Sequence, residues 1–226
     1  MSERILYTYF RSTAAYRVRI ALNLKKLAYS PRFIHLAKDG GEQHTAGYRN
    51  INHQGLVPTL IDNDTPLTQS LAIIEYLEEL HPSQPLLPEA AVLRAQVRAL
   101  AQQICCDIHP LNNLRVLNYL RSNMKQDGEA RHQWYQHWIS TGLTAIEQQL
   151  TRHGQHQSNY CFGNTPTIAD LCLIPQLYNA RRFNCDTNDY PTLIKIDEHC
   201  MALTAFQQAS PEQQPDYEQP AKQKKD

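Results

Sequence analysis

A proline interrupts the apolar run Leu56-Val57-Pro58-Thr59-Leu60, which otherwise reads as a β-strand. Proline lacks the N–H that a ladder needs, so in a sheet it belongs at an edge or at a strand's first residue. One use for it is an edge strand ending at a cis bond, with the backbone of the preceding residue left for a ligand. Gln69-Ser70 follows, directly ahead of the helix-like run 71–77. A Gln-Ser pair at the positive end of a helix suits a carboxylate. An extended, peptide-like ligand with an anionic end fits both features.

The segments around this run define a small α/β unit. Ile5-Leu6-Tyr7-Thr8-Tyr9 reads as a strand, and Ser12 and Thr13 are helix-cap types. Residues 16–27 follow as a helix with Ile20, Ala21, Leu24 and Leu27 on its apolar face and Arg17, Lys25 and Lys26 off it. A strand at 32–34, a glycine-containing loop with at most a short helix at 38–52, strands at 57–61 and 66–68 and a helix at 70–80 complete the order β-α-β-loop-β-β-α. About 80 residues is near the lower limit for a unit that folds alone. Residues 81–85 read as a linker. Beyond residue 89 the pattern is helical: 90–121 with a kink near Pro110, and 129–152 with Trp134, Trp138, Leu143 and Ile146 as core. Thr167 and Asp170 then form a capping box for a helix to 182, and Pro191 opens a last helix to 206. Residues 211–226 are polar and read as a disordered tail. The expected domains are therefore 1–82, 88–210 and that tail.

Lys plus Arg and Asp plus Glu both number 22, so no global field draws in nucleic acid or an anionic membrane. No apolar run reaches the roughly 20 residues of a bilayer span, and the start lacks a signal peptide's apolar core. Six cysteines without a CxxC pair, and ten histidines without HExxH, argue for free thiols in a reducing cytosol and against a metal site.

Several of these segments together resemble the zeta-class glutathione transferases, the maleylacetoacetate isomerase family. Phe10-Arg11-Ser12-Thr13-Ala14-Ala15-Tyr16-Arg17-Val18-Arg19-Ile20-Ala21-Leu22 is similar to the family's serine-serine-cysteine signature and its continuation. Val57-Pro58 matches the cis-proline site, Gln69-Ser70 with the run to Leu77 matches the γ-glutamyl clamp, and 163–170 matches the capping box of the helical domain. His109-Pro110-Leu111-Asn112-Asn113-Leu114-Arg115 and Asn179-Ala180-Arg181-Arg182-Phe183 resemble bacterial members. The similarity spans residues 4 to 210. Thr13 stands for the second serine, Ala14 for the cysteine and Tyr16 for tryptophan.

The resemblance implies a thioredoxin-like domain with a cis bond at Pro58, followed by an all-helical bundle, in a cytoplasmic homodimer. It implies glutathione as cofactor, held by Ser12, Thr13, Gln43, Val57, Pro58, Gln69, Ser70, His109, Asn113 and Arg115. Ser12, with Thr13, carries the catalytic role. Arg11, Arg115 and Arg182 are implied for a dicarboxylate diketo acid. The implied reaction is the redox-neutral conversion of maleylacetoacetate to fumarylacetoacetate by reversible thiolate addition. Alternatives are maleylpyruvate isomerase, a transferase acting on α-haloacids, and a non-catalytic glutathione-binding module.

A free thiol has a pKa of about 8.5, and lowering it by about two units takes roughly 2.7 kcal/mol. A hydrogen bond to an ionised group supplies about 1.5–3 kcal/mol and a helix N-terminus about 0.3–1 kcal/mol. A hydroxyl at position 12 is therefore sufficient. Taken alone, Ser12 and Thr13 read first as caps of the helix that follows, and His109 and Asn113 read equally as satisfied polar groups in a bundle. The Val57-Pro58 and Gln69-Ser70 context shifts the reading of Ser12 toward chemistry.

Overall fold

The computed structural model describes residues 4–152 and 156–218. Two compact units divide the chain: one holds the N-terminal part through Ile73 together with the segment from Thr204 onward, and the other runs from Ile74 to Leu203.

The first unit is built on a four-stranded sheet of order β2-β1-β3-β4. Its strands are β1 (Ile5–Thr8), β2 (Ser30–Phe33), β3 (Thr59–Asp62) and β4 (Thr65–Thr68). β1 pairs parallel with β2 and antiparallel with β3, which pairs antiparallel with β4. The crossover between β1 and β2 carries α1 (Thr13–Leu24), which starts three residues earlier than its apolar spacing suggests because Ser12 caps it. The loop at 38–52 contains two 3-10 turns and the short α2 (Ala46–Ile51). Leu6, Val18, Ile20, Ala21, Leu22 and Leu60 are fully buried in this unit.

Arg17 and Lys25, which the spacing puts off the apolar face, are buried all the same, and so is Arg19. Around Arg19 the cover is α9 (Thr204–Ala209), which returns to pack on α1, whereas Arg17 points toward Ser70. Arg19 Nε donates to the Ala209 carbonyl at 2.9 Å and Asn23 Nδ2 to the Ala205 carbonyl at 3.0 Å. The helix expected at 191–206 is accordingly two: α8 (Pro191–Met201) in the second unit and α9 in the first. Residues 211–218 are not a disordered tail. Pro211–Gln213 forms a 3-10 turn, Asp216 accepts the Phe10 N–H at 2.9 Å, and the Tyr217 ring meets Phe10 edge-on at 5.5 Å. Residues 219–226 lie outside the described residues.

The second unit is helical. It contains all but the first turn of α3 (Ser70–Leu80), then α4 (Ala91–Gln102), α5 (Leu114–Ser122), α6 (Gly128–Thr151), α7 (Ile168–Arg182) and α8. The expected single helix at 90–121 is broken by a π-helical turn at Gln103–Ile108 and a 3-10 turn at His109–Asn112, where Pro110 has no N–H to continue the ladder. The linker is anchored. Both Glu78 carboxylate oxygens accept from the Leu86 N–H, and Oε1 also accepts from Leu87. On α6 the buried positions are Tyr135, Ile139, Gly142, Leu143 and Ile146, so Trp134 and Trp138 sit one position off the core stripe and are only half-buried. α7 opens on the expected box: the buried Asp170 carboxylate accepts the Thr167 N–H at 2.7 Å and hydroxyl at 2.8 Å, and also the Cys161 N–H at 2.7 Å.

Candidate functional site

In the first unit the site residues gather around two helix N-termini. Ser12 caps α1 with backbone in the extended region, and its Oγ accepts the Ala15 N–H at 3.2 Å. That bond occupies the oxygen and leaves the hydroxyl hydrogen able to donate. Thr13 is buried, and Ala14 is half-buried in the first turn. The loop ahead of Ser12 is fixed from within. The Arg19 guanidinium donates to the Thr8 hydroxyl and to the Tyr9 and Phe10 carbonyls at 3.1–3.3 Å. Arg11 lies over the Tyr9 and Phe10 rings, 5.7 and 5.1 Å from their centroids, and its Nη2 donates to the Tyr9 hydroxyl at 2.9 Å.

The Val57-Pro58 bond is cis, as expected, and Val57 lies ahead of β3, outside the ladder. Two groups that the sequence reading missed hold the approach to it. The Tyr48 hydroxyl and Asn52 Nδ2 donate to the Leu56 carbonyl at 2.6 and 2.8 Å, and both reach the Thr59 hydroxyl at 3.0 Å. Burial pushes the Tyr48 phenol up from its usual value, so it stays a donor. Gln43 is buried in the second 3-10 turn, Glu42–His44, with Nε2 on the Leu36 carbonyl at 3.2 Å. Its Oε1 meets no partner among the described residues. Gly41, at φ 101°, leaves room for that side chain, since a Cβ there would overlap the Gln43 amide.

Gln69 is exposed at φ 68°, a left-handed conformation that non-glycine residues seldom adopt, and its Nε2 donates to Gln54 Oε1 at 2.8 Å. Ser70 beside it is buried and accepts from Arg17 Nη1 at 3.0 Å. Nothing in the residue pattern signalled Arg17, because a lone arginine on a helix reads as solvated.

The second unit holds the remaining candidates. His109 opens the 3-10 turn, and Asn113 caps α5 by accepting the Arg115 N–H at 3.1 Å. The Arg115 side chain is exposed. Arg182 ends α7 with its guanidinium 4.9 Å from the Phe183 ring centroid, and Phe183 stacks on Tyr135 at 3.5 Å. Asn112 Nδ2 donates to the Tyr135 carbonyl at 3.4 Å, so Tyr135 ties the 109–113 turn to the end of α7. Its neighbour Arg181 is committed elsewhere, to Asp197 at 2.6 Å. Among the described residues there is no cluster of His, Cys, Asp or Glu able to hold a metal, and all six cysteines are free thiols.

Residues 6–85 match the glutathione S-transferase N-terminal domain. A probable maleylacetoacetate isomerase of Vibrio cholerae is 51% identical over 216 residues, which is 96% of this chain and 99% of that one. The chain belongs to the zeta-class glutathione transferases, the maleylacetoacetate isomerase family. A solved maleylpyruvate isomerase, described as a bacterial glutathione S-transferase of zeta class, superposes with a TM-score of 0.91 at 44% identity, covering 95% of this chain and all of that one. A maleylacetoacetate isomerase structure from Anaeromyxobacter dehalogenans, holding dicarboxyethyl glutathione and citrate, gives 0.85 at 40% identity over 97% and 96% of the two chains. The fold of this zeta-class chain is thus the glutathione transferase fold, a thioredoxin-like sheet domain followed by a helical one.

Proposed function

We propose that this protein is a glutathione-dependent cis–trans isomerase converting maleylacetoacetate to fumarylacetoacetate, a step in the breakdown of tyrosine. The observation that carries this is the Ser12 hydroxyl. Its oxygen is held by the Ala15 N–H at the positive end of α1, and its hydrogen is available to a sulfur anion. The relatives support the choice of cofactor, since one related structure binds glutathione carrying a dicarboxyethyl group.

The residues of the first unit fit the tripeptide by chemistry. Val57 offers peptide groups outside the ladder beside Pro58, as strand addition requires. Gln69 and Ser70 offer amide and hydroxyl at the start of α3, and Gln43 brings a buried carbonyl oxygen that lacks a donor. Thr13 stands next to Ser12 in the same turn. In the second unit His109, Asn113 and Arg115 are the candidates for the rest of the tripeptide. Bound glutathione supplies a nucleophilic sulfur for reversible addition to the conjugated double bond, which permits rotation and returns the tripeptide unconsumed. Arg11, Arg115 and Arg182 supply guanidinium groups for the acid's carboxylates. Phe183, backed by Tyr135, fixes the Arg182 guanidinium against a ring face. We place the protein in the cytoplasm, where its free thiols stay reduced, and infer a homodimer.

Ser12→Ala tests the reading. Turnover of maleylacetoacetate is expected to fall about 10- to 100-fold, the value of one hydrogen bond to a charge. The lost cap costs only about 1 kcal/mol of stability, so the variant folds. Unchanged turnover in a folded variant rejects this role for Ser12. Maleylpyruvate isomerisation is the second reading, favoured by the maleylpyruvate isomerase match at a TM-score of 0.91. Parallel assays on the two acids, with and without glutathione, separate them.

A further inference from the structure

Two arginines stand two residues apart on α1, both almost wholly buried, with unlike surroundings. Arg19 spends its guanidinium on three carbonyls and a hydroxyl. Arg17 is 2% exposed and donates from Nη1 to Ser70 Oγ at 3.0 Å. Its Nε and Nη2 are buried without a hydrogen-bond partner among the described residues, and no carboxylate there pairs with it. A buried charge without a counter-charge destabilises a fold and persists where function requires it. Ser70 is also the first residue of the 11-residue α3, and Gln69 before it is held in a strained left-handed conformation. A helix N-terminus, a strained non-glycine residue and an uncompensated cation therefore meet at one hydroxyl.

We propose that Arg17 is the counter-charge and positioning residue for the α-carboxylate of the γ-glutamyl group. By donating to Ser70 Oγ it fills the acceptor side of that oxygen and turns the hydroxyl hydrogen toward the ligand. Its charge, set in a poorly solvated interior, offsets the incoming carboxylate far better than a surface lysine can. The clamp then selects for an anionic end and not merely for a peptide that fits. This inference rests on the reading that the chain binds glutathione, and it adds the source of that selectivity.

Calorimetric titration of the full chain tests it, using glutathione and the analogue 4-aminobutanoyl-cysteinyl-glycine, which lacks only that carboxylate. Wild type is expected to prefer glutathione by about 30-fold, the scale of a charge-assisted contact. Arg17→Met is expected to erase most of this preference, weakening glutathione about 10- to 100-fold and the analogue by less than about twofold. The ligand-free variant is expected to melt no lower than wild type, because it sheds an uncompensated charge. Arg17→Gln keeps a donor for Ser70 without the charge, and it serves as the test if Arg17→Met does not fold; the preference is expected to collapse there too. Equal weakening of both ligands, or full preference retained in the variants, overturns the role of Arg17 alone. Failure of wild type to bind glutathione overturns the functional reading and this inference with it.

Discussion

Replacing Asp170 by alanine is expected to destabilise the helical unit far beyond the loss of an ordinary cap. An exposed N-cap contributes about 0.5–2 kcal/mol. Asp170 is 0% exposed and serves two stretches of chain at once, the Thr167 N–H at 2.7 Å and the Cys161 N–H at 2.7 Å. Alanine leaves both of these buried donors without acceptors, at about 1–3 kcal/mol each, or about 2–6 kcal/mol together. The Thr167 hydroxyl can rotate to another acceptor and adds little. One term opposes the loss. Burial pushes the Asp170 carboxyl above its usual range, so the folded protein already bears a desolvation cost that alanine removes. The net expectation is about 3–4 kcal/mol, a large share of the roughly 5–15 kcal/mol that holds a domain together. Guanidinium unfolding at pH 7, followed by tryptophan fluorescence from Trp134 and Trp138 on α6, reads the shift in midpoint. A loss below about 1 kcal/mol would show that the carboxylate is only a local cap and would refute the two-donor argument.

Two further outcomes follow from packing and titration. Gly142 on α6 faces Ile108, and a Cβ there would overlap the Ile108 Cδ1 and Cγ1 atoms of a side chain that is itself buried. Gly142→Ala, which gains about 1 kcal/mol of helix propensity at an open site, is expected to lower the thermal midpoint here; a rise would show that the π-helical turn at Gln103–Ile108 yields. Burial also raises the Asp216 carboxyl, so the folded chain binds that proton more tightly than the unfolded one. Linkage makes its contribution to stability largest below the unfolded pKa of about 3.9 and progressively smaller as pH rises through the folded value. Relative to Asp216→Asn, wild type should therefore lose stability between pH 4 and the folded pKa; a difference that stays flat with pH contradicts the raised value.

What was legible in the sequence was local. Thr167 and Asp170 lie three residues apart and carry their own geometry, Pro58 announces a special backbone, and Ser70 marks a helix start that lies where expected. The parts that escaped are settled by residues distant in the chain. Arg17 reads as off the apolar face because nothing near it shows that Ser70, 53 residues later, meets it, and nothing near Arg19 shows that α9 returns to cover that residue. Trp134 and Trp138 draw attention by size, yet the buried stripe on α6 runs one position further on. The left-handed turn at Gln69 is invisible because glutamine carries no sign of it, unlike the glycine at 41. The Tyr48–Asn52 brace on the Leu56 carbonyl needed the sheet in place before its atoms could meet.

The return of α9 to α1 also sets a schedule for synthesis. The first unit joins the stretch through Ile73 with the segment from Thr204 onward, so it is complete only after the helices between have been made. While the ribosome is still adding the helices between, Arg19 has no Ala209 carbonyl to bind and Phe10 no Asp216. The nascent sheet must then wait, with that side of α1 uncovered, until α9 has been made. A fragment cut after β4 would be an unfinished object, lacking a wall that is supplied from far along the chain.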